Sequence, residues 1–118
     1  MKIAMPGEEN YKDICPVFGR TPFFMIYNTE TKEKVFQKNP ATDEQGGAGI
    51  KAAQSVVDAG VNVLITPRCG ENAAEVFQAA GIQIYKSEGT DVDENLASFE
   101  AGTISRLEKF HGGYHGIR

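Results

Sequence analysis

Apolar residues follow two rhythms along this chain. Short runs rich in aromatic and β-branched residues occupy residues 2–5 (KIAM), 22–29 (PFFMIYNT), 34–38 (KVFQK), 61–66 (VNVLIT) and 82–86 (IQIYK). Runs of that length and composition predict strands. The polar ETKE between the second and third predicts a turn and a hairpin, and Asn39-Pro40 ends the third strand. Between the later strands the period becomes helical. Ile50, Ala53, Val56 and Val57 share one face, and so do Ala73, Val76, Phe77 and Ala80, with Gly60 and Gly81 placed as left-handed C-terminal caps. An offset of 21 residues, from Gly60 to Gly81, lays AAQSVVDAGVNV over AAEVFQAAGIQI. The chain thus uses a helix-to-parallel-strand unit twice, short of the three copies a solenoid needs. A third helix is predicted from Thr90, capped by its hydroxyl with Asp93 reaching back, and Val92, Leu96 and Phe99 form its apolar stripe.

This order predicts an α/β fold: a mixed five-stranded sheet with an antiparallel three-strand start, then parallel βαβ units, flanked by helices. With the first strand running up, the third and both later strands also run up. The connections 6–21, 39–49, 66–72 and 86–90 then share one edge of the sheet, the carboxyl edge where open α/β sheets bind ligands. That rim collects Cys15, Arg20, Arg68, Cys69 and a glycine loop. Residues 1–105 read as one domain, and 106–118 as a polar, mobile His/Gly-containing tail.

Composition narrows the role. The 118 residues suit one domain with a real core, and 41% hydrophobic with 24% charged is ordinary globular usage. A net charge of −4 argues against nucleic acid as a partner. No apolar run approaches the roughly 20 residues of a membrane span, and MKIAMPG is too short for a signal peptide, so a cytoplasmic location is expected. Two cysteines make no disulfide framework and are expected as thiols.

Three stretches carry candidate chemistry. Gly46-Gly47-Ala48-Gly49 opens the first long helix, where free N–H groups and the dipole favour an anion; it reads equally as a flexible turn. It is neither a Walker A loop nor GxGxxG. Arg68-Cys69-Gly70 opens the second, where a thiol beside an arginine and a helix N-terminus is expected to have a lowered pKa; the alternative is a small buried residue. Cys15 reads either as a partner to Cys69 or as a loop residue packed under Pro16. His111 and His115 could join the cysteines in a metal-binding set or simply belong to a solvated tail. Catalysis is poorly supported: the first strand lacks the carboxylate a two-metal nuclease needs, and no Ser-His-Asp order or GxSxG elbow occurs.

The segments FGRTPFFMIYNTET, GGAGIKAAQ and GENAAEVFQAAGIQIY together resemble the dinitrogenase iron–molybdenum cofactor biosynthesis family, in order and over roughly residues 1 to 105. The resemblance implies a ribonuclease-H-like fold without nuclease activity and binding of an iron–sulfur or iron–molybdenum cluster or its precursor, exchanged with donor and acceptor proteins. It maps Phe18, Gly19 and Arg20, then Gly46, Gly47 and Gly49, then Gly70 and Asn72, onto the family's loop motifs. Cys69 stands where many members carry an apolar residue. The expectation is a non-enzymatic carrier with Cys15 and Cys69 as cluster ligands, His111 or His115 supplementing them, and Arg20 and Arg68 supplying charge. The alternatives are a metal-free module for a small anionic metabolite and, third, an enzyme with a thiolate nucleophile.

Overall fold

A computed structural model describes residues 1–110. Its strands are β1 (Lys2–Gly7), β2 (Phe23–Asn28), β3 (Lys34–Lys38), β4 (Val63–Thr66) and β5 (Gln83–Lys86). Its helices are α1 (Ala48–Asp58), α2 (Glu71–Ala79) and α3 (Val92–Ala101), and a 3₁₀ turn spans Phe18–Arg20. The strands form one sheet in the order β3-β2-β1-β4-β5. β2 lies antiparallel to both β1 and β3, while β4 is parallel to β1 and to β5. This is the ribonuclease-H-like arrangement, and it places the ends of β1, β3, β4 and β5 on one edge as expected.

Strand alternation divides the core into two layers. Ala4, Phe24, Ile26, Leu64 and Ile84 face one way, against Ala52, Ala53 and Val56 of α1 and Ala73, Ala74 and Phe77 of α2. Ile3, Met5, Met25, Val63 and Ile65 face the other way, against Val92 and Leu96 of α3. The two crossovers run in the same direction along the sheet and have the same hand, so α1 and α2 share a face. Their buried alanines let both helices sit close to the strands and to each other. Gly60 and Gly81 adopt φ of 79° and 76° just past α1 and α2, the left-handed conformation that a side chain would strain.

Four expectations are corrected. β1 continues two residues further, with Pro6 and Gly7 paired to Phe24 and Phe23. Proline is tolerated because β4 pairs only with Ile3 and Ala4, and the Pro6 carbonyl accepts Cys15 N–H at 2.9 Å. α3 is capped by Asp91, whose carboxylate accepts Glu94 N–H at 2.9 Å, not by Thr90. Two capping registers overlap in Thr90-Asp91-Val92-Asp93-Glu94; the Thr90 carbonyl is taken by Ile14 N–H at 2.7 Å, which keeps that residue outside the helix. Ile50, read as a core position, is 45% exposed, because the first turn of α1 projects beyond the sheet edge.

The last correction concerns the chain after Gly102. Ile104 is buried beside α3. Lys86 N–H donates to Ser105 O at 2.8 Å and Leu107 N–H to Ile84 O at 3.0 Å, so residues 105–107 run along the outer edge of β5. Leu107 and Phe110 then pack against the α1/α2 layer. The body thus continues past 105 to Phe110: three apolar residues at a spacing of three in a polar stretch cover an otherwise open sheet edge. His111 and His115 lie outside the described residues.

Candidate functional site

The carboxyl edge carries a cleft of about 260 Å³ between the 3₁₀ turn and the starts of α1 and α2. Its first wall is Pro16, Val17, Phe18 and Gly19; its second is Gly47, Gly49 and Ile50; its third is Arg68, Gly70, Asn72 and Ala73. Each wall is fixed by a different local device.

The 3₁₀ turn is anchored by Phe18, 6% exposed, whose ring lies 5.2 Å from that of Phe24 and 5.6 Å from that of Phe77. An aromatic wedged between a strand and a helix ties the rim to both elements beneath it. Gly19 follows where space is tight: a Cβ there would stand 3.2 Å from Gly49 N and would press the two backbones apart. The 3₁₀ turn and the first turn of α1 therefore meet backbone to backbone. Arg20 points elsewhere, donating from Nη1 to the Thr42 carbonyl at 3.0 Å. Asn39, buried to 1% exposure, closes the arrangement. Its Nδ2 donates to the carbonyls of Gly19 at 3.1 Å and Thr21 at 2.9 Å, and its Oδ1 accepts Ala41 N–H at 2.9 Å.

Both helices on the cleft begin without a side-chain cap. α1 starts after Gly47, held at φ 72°, and α2 after Gly70. The N–H groups of residues 48–50 and 71–73 have no hydrogen-bond acceptor among the described residues. α3, which does not reach the cleft, is the contrast, since Asp91 caps it. Two uncapped N-termini contribute partial positive charge and free donors to one space. Arg68 adds a full charge, and no carboxylate lines the cleft. Among the described residues, Arg68 belongs to no ion pair.

Of the residues expected at the site, the cleft unites Phe18, Gly19, Gly47, Gly49, Arg68, Gly70 and Asn72. It does not include Arg20, Gly46 or either cysteine. Cys15 is 7% exposed, with Sγ 3.7 Å from the Val17 carbonyl, the packed loop residue of the alternative reading. Cys69 is 1% exposed within the α1/α2 core layer and borders a neighbouring cavity rather than the cleft. The expected acidic thiol is overturned: burial pushes the Cys69 pKa up from 9.0 to about 12. Desolvation of a thiolate outweighs both the helix terminus and the exposed arginine next to it. Among the described residues no group of three or more His, Cys, Asp or Glu is placed to hold a metal ion.

Pro16, Val17, Ile50 and Ala73 also line the cleft, although none of them stood among the candidate ligands. Val17, 54% exposed, and Ile50 form an apolar lip. A signal did exist, since each is adjacent in sequence to a candidate residue: Pro16 to Cys15, Val17 to Phe18, Ile50 to Gly49 and Ala73 to Asn72.

The raised thiol pKa has a measurable consequence. Between pH 9.0 and about 12 the unfolded chain releases the Cys69 proton while the folded chain keeps it. Stability contributed by the buried neutral thiol is complete below pH 9 and falls as pH rises through that window. Urea titrations should show that loss in the native protein and a smaller one in Cys69→Val. Equal alkaline slopes would disprove the assignment.

Residues 1–102 match the sequence profile of the family described as "Dinitrogenase iron-molybdenum cofactor". An uncharacterized protein of Methanocaldococcus jannaschii is 38% identical over 111 residues, covering 92% of each chain. Among solved structures, the apo form of the orange protein from Desulfovibrio gigas is 31% identical with a TM-score of 0.83, covering 90% of this chain and 92% of that one. A candidate NifB protein from Thermotoga is 33% identical with a TM-score of 0.78, covering 96% and 98%. Motifs, sheet order and these likenesses agree: the chain belongs to the dinitrogenase iron–molybdenum cofactor family.

Proposed function

We propose that this protein is a non-enzymatic carrier that holds an anionic metallosulfur cluster, of iron–sulfur or iron–molybdenum type, in the rim cleft. The observation that carries this reading is the convergence of two uncapped helix N-termini and Arg68 on one space free of carboxylates. A metallosulfur cluster is bulky, anionic and edged with sulfur atoms that accept N–H hydrogen bonds. Glycines at 47, 49 and 70 let such an object approach the backbone, while Pro16, Val17 and Ile50 supply an apolar surround. Held this way, the cluster is retained by donors and charge, and the buried cysteines serve packing. Retention without closed thiolate ligation suits a cargo that must be handed on to an acceptor protein. Family membership supports the same cargo. The Desulfovibrio gigas relative is described as the apo form of an orange protein, and a form named apo fits a protein that takes up a ligand.

Anaerobic reconstitution with iron and sulfide, with and without molybdate, followed by visible absorption, tests the reading. Wild type should develop charge-transfer bands. Arg68→Glu should cut uptake at least about tenfold, because it exchanges a cation for an anion against a charged cargo in a confined space. Cys15→Ala/Cys69→Ala should retain most of the uptake. Loss of the bands in the cysteine variant, with Arg68→Glu unaffected, would return ligation to the thiols and reject cleft binding.

A further inference from the structure

A second cavity, of about 300 Å³, adjoins the cleft on the far side of Arg68. It is bordered by Arg68, Lys86 and Lys109, with Pro67, Cys69, Leu107 and Phe110 as the remaining lining. Its charged residues are all cations, in a protein whose net charge is −4. The three come from separate segments: the β4–α2 corner, the end of β5 and the terminal strap. Among the described residues none of them belongs to an ion pair. Like charges that converge on a concave surface repel one another, a cost relieved when an anion sits among them. The thiol of Cys69 stays neutral at physiological pH and adds no opposing charge.

We propose that this cavity is a second binding site, specific for a small phosphorylated organic anion, adjacent to the cluster cleft and sharing only Arg68 with it. Three cations match the double charge and multiple acceptors of a phosphate group, and the Arg68 guanidinium offers the planar fork that phosphate takes in bidentate fashion. Pro67, Leu107 and Phe110 give the organic part an apolar wall, with Phe110 providing a ring face. The volume of about 300 Å³ exceeds what bare phosphate fills. The site exists only because the strap 105–110 folds back along β5, which brings Lys109 and Phe110 to the rim.

The inference is tested on metal-free full-length protein by calorimetric titration with inorganic phosphate, pyrophosphate and phenyl phosphate. Pyrophosphate should bind about tenfold tighter than phosphate, and phenyl phosphate about fivefold tighter, from added charge and added apolar contact respectively. Lys86→Gln and Lys109→Gln should each weaken pyrophosphate binding about five- to tenfold, and Phe110→Ala should abolish the advantage of phenyl phosphate. The Lys86→Gln/Lys109→Gln double variant should keep its ligand-free melting temperature and its uptake of iron and sulfide, because neither lysine lines the cleft. No pyrophosphate binding at about 10 mM, or binding undiminished in the double variant, overturns the proposal. So does loss of cluster uptake in the double variant, which would make the lysines part of cargo binding. Failure of the cluster reading leaves these metal-free titrations unaffected, so the two results are separable.

Discussion

Phe18→Ala should destabilise the protein by about 3–4 kcal/mol and abolish cluster uptake under conditions where the chain is still folded. The expected loss is large because the ring is 6% exposed and sits against both Phe24 of β2 and Phe77 of α2. Truncation leaves a cavity that neither a strand nor a helix can collapse to fill. For a domain whose whole stability is of order 5–15 kcal/mol, that is a substantial share. Phe18→Leu refills much of the volume and should recover more than half of the loss. The measurement is urea unfolding for all three proteins, paired with reconstitution well below the unfolding midpoint. A loss under about 1 kcal/mol in Phe18→Ala would show that the 3₁₀ turn does not depend on its wedge.

Asn39→Leu comes next, with an expected cost of about 3–5 kcal/mol. The side chain makes three hydrogen bonds from a buried position, to the carbonyls of Gly19 and Thr21 and from the amide of Ala41. Leucine leaves all three backbone groups without a partner, and an unmet buried group costs more than the bond itself contributes. Asn39→Asp distinguishes this account from simple loss of packing. A carboxylate there faces two carbonyl oxygens, so its folded-state pKa should rise, and the variant should be least stable at neutral pH. Its stability should increase as pH falls through that raised pKa, the opposite of an ordinary salt-bridged aspartate. An Asn39→Asp curve parallel to wild type between about pH 4 and 7 would rule out the clamp.

These two residues also mark where the sequence was and was not readable. Phe18 was visible as part of a motif at a loop, and the strands and helices were visible because periods of two and of 3.6 residues are local properties. The shared rim followed from strand order alone. Asn39 was not visible: an Asn-Pro pair reads as a turn, and nothing local says that the amide is buried and clamps a loop 20 residues away. Asn95 is a second such case. Its side chain donates to the carbonyls of Glu88 and Asp91 and accepts Glu88 N–H, holding the loop before α3 from a position that looked merely polar. Cys69 went wrong for a different reason. Neighbouring charge and a helix terminus can be seen in sequence, but the degree of burial that outweighs them is set by Ala73, Phe77 and the strap beyond residue 103. The cleft's composition was therefore largely legible, and the exclusion of the thiols from it was not.

The close approach of Gly19 to Gly49 makes the two sides of the cleft unequal. That contact, with Phe18 driven into the core, makes one side of the cleft stiff. The opposite corner differs: a Cβ at Gly46 or Gly47 would meet nothing within 4 Å, and the adjoining stretch is tied down by an exposed Lys51–Glu44 ion pair, a weak restraint. For the carrier proposed above, any adjustment to a cargo larger than the resting cleft should therefore fall on the glycine corner and not on the wedge.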